Sequence, residues 1–202
     1  MLTWLTSHWW VILQLIGLLV VLLIIYINFF VQKTPRWLAD LVSYLNFREE
    51  KEIDKHFIYS KYCHRHEIKW LQGYTGKREG KELFFGILEE NGGLLFCAML
   101  KAEVSPMIIS NQLNGEKLWP YQDQLLIKKR NYELQAKENF LLANVTNSAN
   151  FQLMLGEIFQ GERNTLEFTE LNQIIFITDH AFSDSKEGME FFSTFIHLKD
   201  NL

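Results

Sequence analysis

Between Trp9 and Val31 the chain reads WWVILQLIGLLVVLLIIYINFFV, 23 residues without a charge and with only Gln14 and Asn28 as strongly polar interruptions. At 1.5 Å per residue a helix of this length reaches roughly 35 Å, enough to cross a hydrocarbon core of about 30 Å with some tilt. A helix that is apolar on every side has no face to offer water. Residues 9–31 are therefore expected to form the transmembrane helix of a single-pass membrane protein, with the lipid bilayer as its first partner. Aromatic side chains mark both edges, Trp4, Trp9 and Trp10 on one side and Tyr26, Phe29, Phe30 and Trp37 on the other, as headgroup-level anchors do. The basic leader, short apolar core and small-residue cleavage site of a secretory signal are missing.

Charge supplies a direction. No Lys, Arg, Asp or Glu precedes Lys33. Lys33, Arg36, Arg48 and Lys51 then follow within about 20 residues of the span, the zone in which Lys and Arg set orientation. This predicts a short outer flank, residues 1–8, and a C-terminal domain in the cytoplasm. The two cysteines, Cys63 and Cys97, are too few for a disulfide framework and suit reduced thiols. The formal charge of −4, with bases interleaved among acids, argues against a nucleic-acid partner, which would call for a basic face.

Beyond the span, Thr34-Pro35 reads as a helix start, followed at helical spacing by Trp37, Leu38, Leu41, Val42 and Leu45. This helix is expected to lie along the interface or on the domain. Asn46 and Glu49 resemble a capping box, so a polar helix is expected through about residue 60, making 34–62 a juxtamembrane helical segment. Residues 63–202 then form one soluble domain. Its clearest element is a hairpin around Asn91-Gly92, between the apolar runs Glu82 to Glu89 and Leu94 to Leu100, because a type I′ turn needs positive φ at both central residues. Strands are expected over Glu67 to Tyr74, Gln124 to Lys129, Tyr132 to Ala136 and Phe140 to Val145. A second hairpin is expected from Thr165 to Thr178 across Glu170-Leu171-Asn172. Helices are expected over Asn150 to Phe159 and Lys186 to Leu198. Hairpins interspersed with helices indicate an α+β domain of antiparallel hairpins, not a βαβ repeat.

The densest group of possible ligands is His56, Cys63, His64, His66 and Glu67. Imidazole, thiolate and carboxylate together suit zinc or another transition metal. The spacing, however, contains no CxxC and no HExxH, and His180 and His197 stand far away in sequence. Cys63 beside His64 is poorly arranged as a nucleophile and base, because neighbours on a strand face opposite sides. Gly73, Gly76 and Gly80 flank Lys77 and Arg78 but match no phosphate loop, and a hairpin turn accounts for them. Lys128-Lys129-Arg130 reads as the solvated end of a strand.

With no coherent acid, base, nucleophile or phosphate loop, the sequence leans away from an enzyme. It favours a membrane-anchored interaction or scaffold component whose partner is another membrane-associated protein. The alternatives are a metal-binding or redox-sensing domain built on residues 56–67, and an enzyme with a dispersed site.

Overall fold

The computed structural model describes residues 9–29, 36–51, 60 and 68–202. These fall into two compact units, the first ending at Pro35 and the second comprising Arg36–Leu202. The first contains helix α1, Trp9–Phe29, with no acidic residue in its first turn and no basic residue in its last. Its side chains are described as far as Ile24, and among the described residues no helix is long and apolar enough to cross a membrane. Of the span expected over 9–31, the helical conformation of Trp9–Phe29 is what the structure contains.

The second unit is a mixed α+β domain built on one nine-stranded sheet. In chain order its elements are α2 (Arg36–Leu45), β1 (Arg48–Glu49), β2 (Lys69–Arg78), β3 (Lys81–Glu90), β4 (Gly93–Lys101), β5 (Met107–Ser110), β6 (Tyr121–Ile127), β7 (Arg130–Ala136), α3 (Asn139–Asn147), α4 (Ala149–Ile158), β8 (Asn164–Phe168), β9 (Gln173–Thr178) and α5 (Ser185–Ile196), with a final 3-10 turn. The sheet order is β1-β2-β3-β4-β9-β8-β5-β7-β6, and every pairing is antiparallel. The expected hairpins are present. Asn91 and Gly92 carry φ of 51° and 79°, as the turn between β3 and β4 requires. The second hairpin joins β8 to β9.

Alternation along the strands sorts the core onto two faces. Leu83, Phe85, Phe96, Ala98, Leu100, Ile174 and Phe176 join one cluster with Leu38 and Leu41 of α2, Leu141 and Val145 of α3, Phe151 and Leu155 of α4, and Phe192 and Phe195 of α5. Phe84, Leu88, Leu95, Cys97, Met99, Ile175 and Ile177 form a second cluster on the opposite face, packed by Ile68 and Trp70. Strands buried on both sides read as unbroken apolar runs, which is why the β3 and β4 stretches show no polar alternation. Gly86, paired with Gly73, lies under Trp70: a Cβ there would come within 3.3 Å of Cζ3 of that ring and 2.5 Å of the Gln72 carbonyl.

Three local expectations give way. Asn46 does not open a helix; it closes α2 at φ 54°. Asn46 N donates to Ser43 O at 3.2 Å and Phe47 N to Val42 O at 3.1 Å, the pair of bonds of a Schellman end. Arg48 and Glu49 are extended against Thr75 and Tyr74. The remainder of the expected polar helix, and Thr34-Pro35, lie outside the described residues. Residues 140–145 are helical within α3, because Leu141 and Val145, four apart, are both buried in the core beneath it. Gly76 belongs to β2, and the turn that follows is Glu79-Gly80 alone, at φ 51° and 76°.

Candidate functional site

His56, Cys63, His64, His66 and Glu67 all lie outside the described residues. Among the described residues no group of three or more His, Cys, Asp or Glu could hold a metal ion. Cys97, Asp179 and His197 have local structural roles. Cys97 is buried in the sheet. Asp179 Oδ1 accepts the Arg163 backbone N–H at 3.0 Å. His197, at the end of α5, places its Nε2 3.1 Å from Glu79 Oε2 and its Nδ1 3.2 Å from Asp200 Oδ2. The ordinary value of the Asp200 carboxyl is lowered chiefly by the hydrogen bond from His197 and then by that from Lys81.

What the fold does assemble is a cleft of about 590 Å³ between α4, α5 and the β6–β7 turn, lined by charged Lys128, Glu157, Glu187 and Glu190, by Gln160, and by the rings of Phe182 and Phe191. The turn that delivers Lys128 is two-residue, and both Lys128 and Lys129 adopt positive φ, 46° and 65°. Side chains with a Cβ pay for that conformation, and the basic triplet expected as a strand end is divided between this turn and the first residue of β7. Arg130 there donates to the Gly161 carbonyl and pairs with Glu162 at 2.6 Å. Lys128 lies along α4 where Gly156 leaves room, with its Cε 3.7 Å from where a Gly156 Cβ would stand. Burial lowers the Lys128 ammonium below the usual lysine range, and the Glu157 charge opposes that shift.

Helix α4 starts where the Ser148 hydroxyl accepts the Phe151 N–H at 3.2 Å, and it carries Glu157 in its last turn. Thr194 of α5 donates to Glu157 Oε2 at 2.8 Å, tying the two helices across the cleft. Helix α5 begins at Asp184, whose Oδ1 accepts the Glu187 N–H at 2.9 Å. The Glu187 carboxylate reaches back: Oε2 accepts the Ser183 N–H at 2.6 Å and its hydroxyl at 2.9 Å, while Oε1 meets His180 Nε2 at 2.8 Å. Burial alone would raise the Glu187 carboxyl, but the bonds from Ser183 and His180, together with the His180 charge, hold it below the usual range. Glu190 is exposed and stands 3.8 Å from Lys186.

The pattern Asp184-Ser185-Lys186-Glu187 is a capping-box signal legible in the sequence. No sequence signal joins Glu157 to Glu187 and Glu190, since about thirty residues and two strands separate them. A smaller cleft of about 420 Å³ beside β1 and β2 holds Asn46, Arg48, Thr75, Lys77 and Glu82, and Lys101 occupies the Glu82 carboxylate at 2.7 Å. On the face opposite the helices, Ser60 donates to buried Glu167 at 2.8 Å, Ser110 and Thr165 share a 2.6 Å bond, and Arg163 pairs with buried Glu90. These contacts are internal and serve the fold.

No protein-family model and no curated protein matches this sequence. Its fold is similar to that in the crystal structure of the mycobacterial trehalose monomycolate transport factor A, TtfA, with a TM-score of 0.57 and 12% identity over 83% of this chain and 94% of that one. At that identity the likeness is one of fold, and it assigns no residue of the cleft.

Proposed function

We propose that this chain is a membrane-anchored accessory protein: α1 holds it in a bilayer, and the α+β domain, on the cytoplasmic side, binds another membrane-associated protein. The observation that carries the reading is the surface of α1. Leu18 through Ile24, seven consecutive large apolar residues covering nearly two turns, are each between 48% and 66% exposed. A helix that presents apolar side chains on all sides needs an apolar solvent, and lipid is the one that covers every face at once. The absence of side-chain charge before Lys33 supports the orientation. A domain fold shared with a protein named as a transport factor fits an accessory role beside membrane machinery.

The test is extraction. An Arg at the centre of a spanning helix is disfavoured by about 3 kcal/mol relative to Leu, so Leu19→Arg combined with Leu22→Arg removes about 6 kcal/mol of insertion free energy. The parent protein should stay in alkaline-washed membranes and the double variant should leave them. A parent chain that washes off sinks the reading. A reporter fused to Leu202 checks the side, and activity only outside the cytoplasm would reverse the orientation. In-membrane crosslinking from the domain surface should trap a membrane protein reproducibly.

A further inference from the structure

We propose that the open edge of β6 is a dimerisation surface, which takes the β6 strand of a second copy of this chain in an antiparallel register centred on Gln124. The sheet ends at β1 on one side and at β6 on the other. Strand β1 is two residues long and offers little to pair with, whereas β6 runs seven residues, Tyr121–Ile127. It joins β7 through a two-residue turn with Ile127 opposite Arg130, so Tyr121, Asp123, Leu125 and Ile127 exchange ladder bonds with β7. Gln122, Gln124 and Leu126 then direct their N–H and C=O groups to the other side. The Gln124 N–H bears this out, since it donates to Asp123 Oδ1 at 2.8 Å and not to the sheet. Among the described residues no strand pairs with that side.

Two further observations select a second copy as the occupant. Among the described residues of Arg36–Leu202, seven large apolar side chains are exposed, and four of them, Tyr121, Leu126, Phe140 and Leu153, lie on β6 or on α3 and α4, the helices that contact it. Such a concentration marks a contact surface. The strand is also complementary to itself. With Gln124 opposite its own counterpart, Gln122 faces Leu126 of the second copy and Leu126 faces Gln122. All three outward residues then form bonded pairs, giving six main-chain hydrogen bonds, within the range of a typical interface. A slide of two residues either way sets one of the three against Lys128 in the turn or against Pro120, which has no N–H. In the centred register Tyr121 faces Ile127, an aromatic and β-branched pair of the kind that stabilises sheets. The one charge of β6, Asp123, faces Leu125, so no like charges stand directly opposite. The contact is isologous and closes as a two-fold dimer.

The experiment uses the full chain in a nonionic detergent, carrying Cys63→Ser, and reads the dimer fraction by sedimentation over a dilution series. The register makes a signed prediction. Gln122→Lys with Leu126→Lys sets two like-charged pairs directly across the seam and should weaken the dimer about tenfold. Gln122→Glu with Leu126→Lys sets opposite charges across it and should restore the dimer. Both positions are exposed and neither makes a ladder bond to β7, so the fold tolerates both pairs of changes. Mild oxidation reads the register directly. Gln124→Cys should form a disulfide-linked dimer, because bonded partners stand about 5.5 Å apart at Cα. Leu126→Cys should not, since its own counterpart is displaced by four residues, about 14 Å along the strand.

A parent chain that stays monomeric at every concentration would overturn the proposal. So would a dimer indifferent to the lysine pair, which would lie elsewhere, on α1 for example. Equal crosslinking at positions 124 and 126 would refute the centred register. The surface is read from the fold of the domain, so membrane retention of the same proteins tests the anchoring separately.

Discussion

Asn164, fully buried at the start of β8, makes three side-chain hydrogen bonds, and its truncation has a calculable cost. Its Nδ2 donates to Tyr132 Oη at 3.0 Å and to the Gly161 carbonyl at 2.8 Å, while its Oδ1 accepts the Thr178 hydroxyl at 2.8 Å. These bonds tie β7, β8 and β9 to the loop that follows α4. Asn164→Ala removes three buried bonds at about 1 kcal/mol each, net, for a total of about 3 kcal/mol. The loss is not larger because Arg130 still donates to the Gly161 carbonyl and Thr178 Oγ1 still accepts the His180 N–H at 3.1 Å, so neither oxygen is orphaned. For a domain of this size that corresponds to a fall in Tm of roughly 6–12 °C. Urea titration of the full chain in detergent, followed by tryptophan fluorescence, reads the difference. Asn150→Ala, at an exposed position of α4, should stay within about 0.5 kcal/mol of the parent. An Asn164→Ala midpoint as close to the parent as that of Asn150→Ala would refute the network as a source of stability.

The same loop is sensitive at Gly161, where a Cβ would collide with the Asp179 carboxylate and lie 3.0 Å from the His180 backbone nitrogen; Gly161→Ala should cost about 1–3 kcal/mol by overpacking, and an unchanged melting curve would count against the close approach. At the β6–β7 turn, Lys129→Gly should stabilise by about 0.5–1 kcal/mol, since relief of the left-handed conformation exceeds the added chain entropy of glycine; destabilisation would mean that the Lys129 side chain holds the turn. Glu187 titrates below its ordinary range, so its contribution is fully present above the unfolded-state value and is lost as pH falls through the lower folded-state value. The acid limb of the urea midpoint, below roughly pH 5, should therefore be shallower in Glu187→Gln than in the parent, and equal slopes would remove the Ser183 and His180 bonds as its cause.

Some of this architecture was legible one segment at a time. The Asn91-Gly92 hairpin, the hairpin ending in β9, and helices α4 and α5 were all readable because turn chemistry and helical spacing act among residues a few positions apart. Where two local readings competed, the packing decided. Asn46 followed by Glu49 can be read as a helix start, but Phe47 packs against Phe85 with ring centroids 5.3 Å apart, and that placement ends α2 in a left-handed residue. Residues 140–145 have the apolar content of a strand, yet the core beneath them takes Leu141 and Val145 from one helical face.

The candidate site was less legible still. The members of the ligand group around His64 are neighbours in sequence, whereas the cleft carboxylates come from the end of α4 and the first turns of α5. Their convergence depends on how two helices cross a sheet, and no spacing rule encodes that. The order of the strands belongs to the same category. That β9 pairs with β4, and that β5 lies between β8 and β7, follows from which apolar faces can be buried together.

By itself, then, the sequence determined the apolar α1 segment, the α+β class and the turns, since each depends on covalent neighbours and on the intrinsic preferences of Gly, Asn and the apolar side chains. Only the tertiary structure decided that the central strands β3, β4, β8 and β9 are buried on both faces and that Lys128, Glu157, Glu187 and Glu190 share one cleft. Those outcomes are set by burial between residues distant in the chain, whose energy no local segment contains.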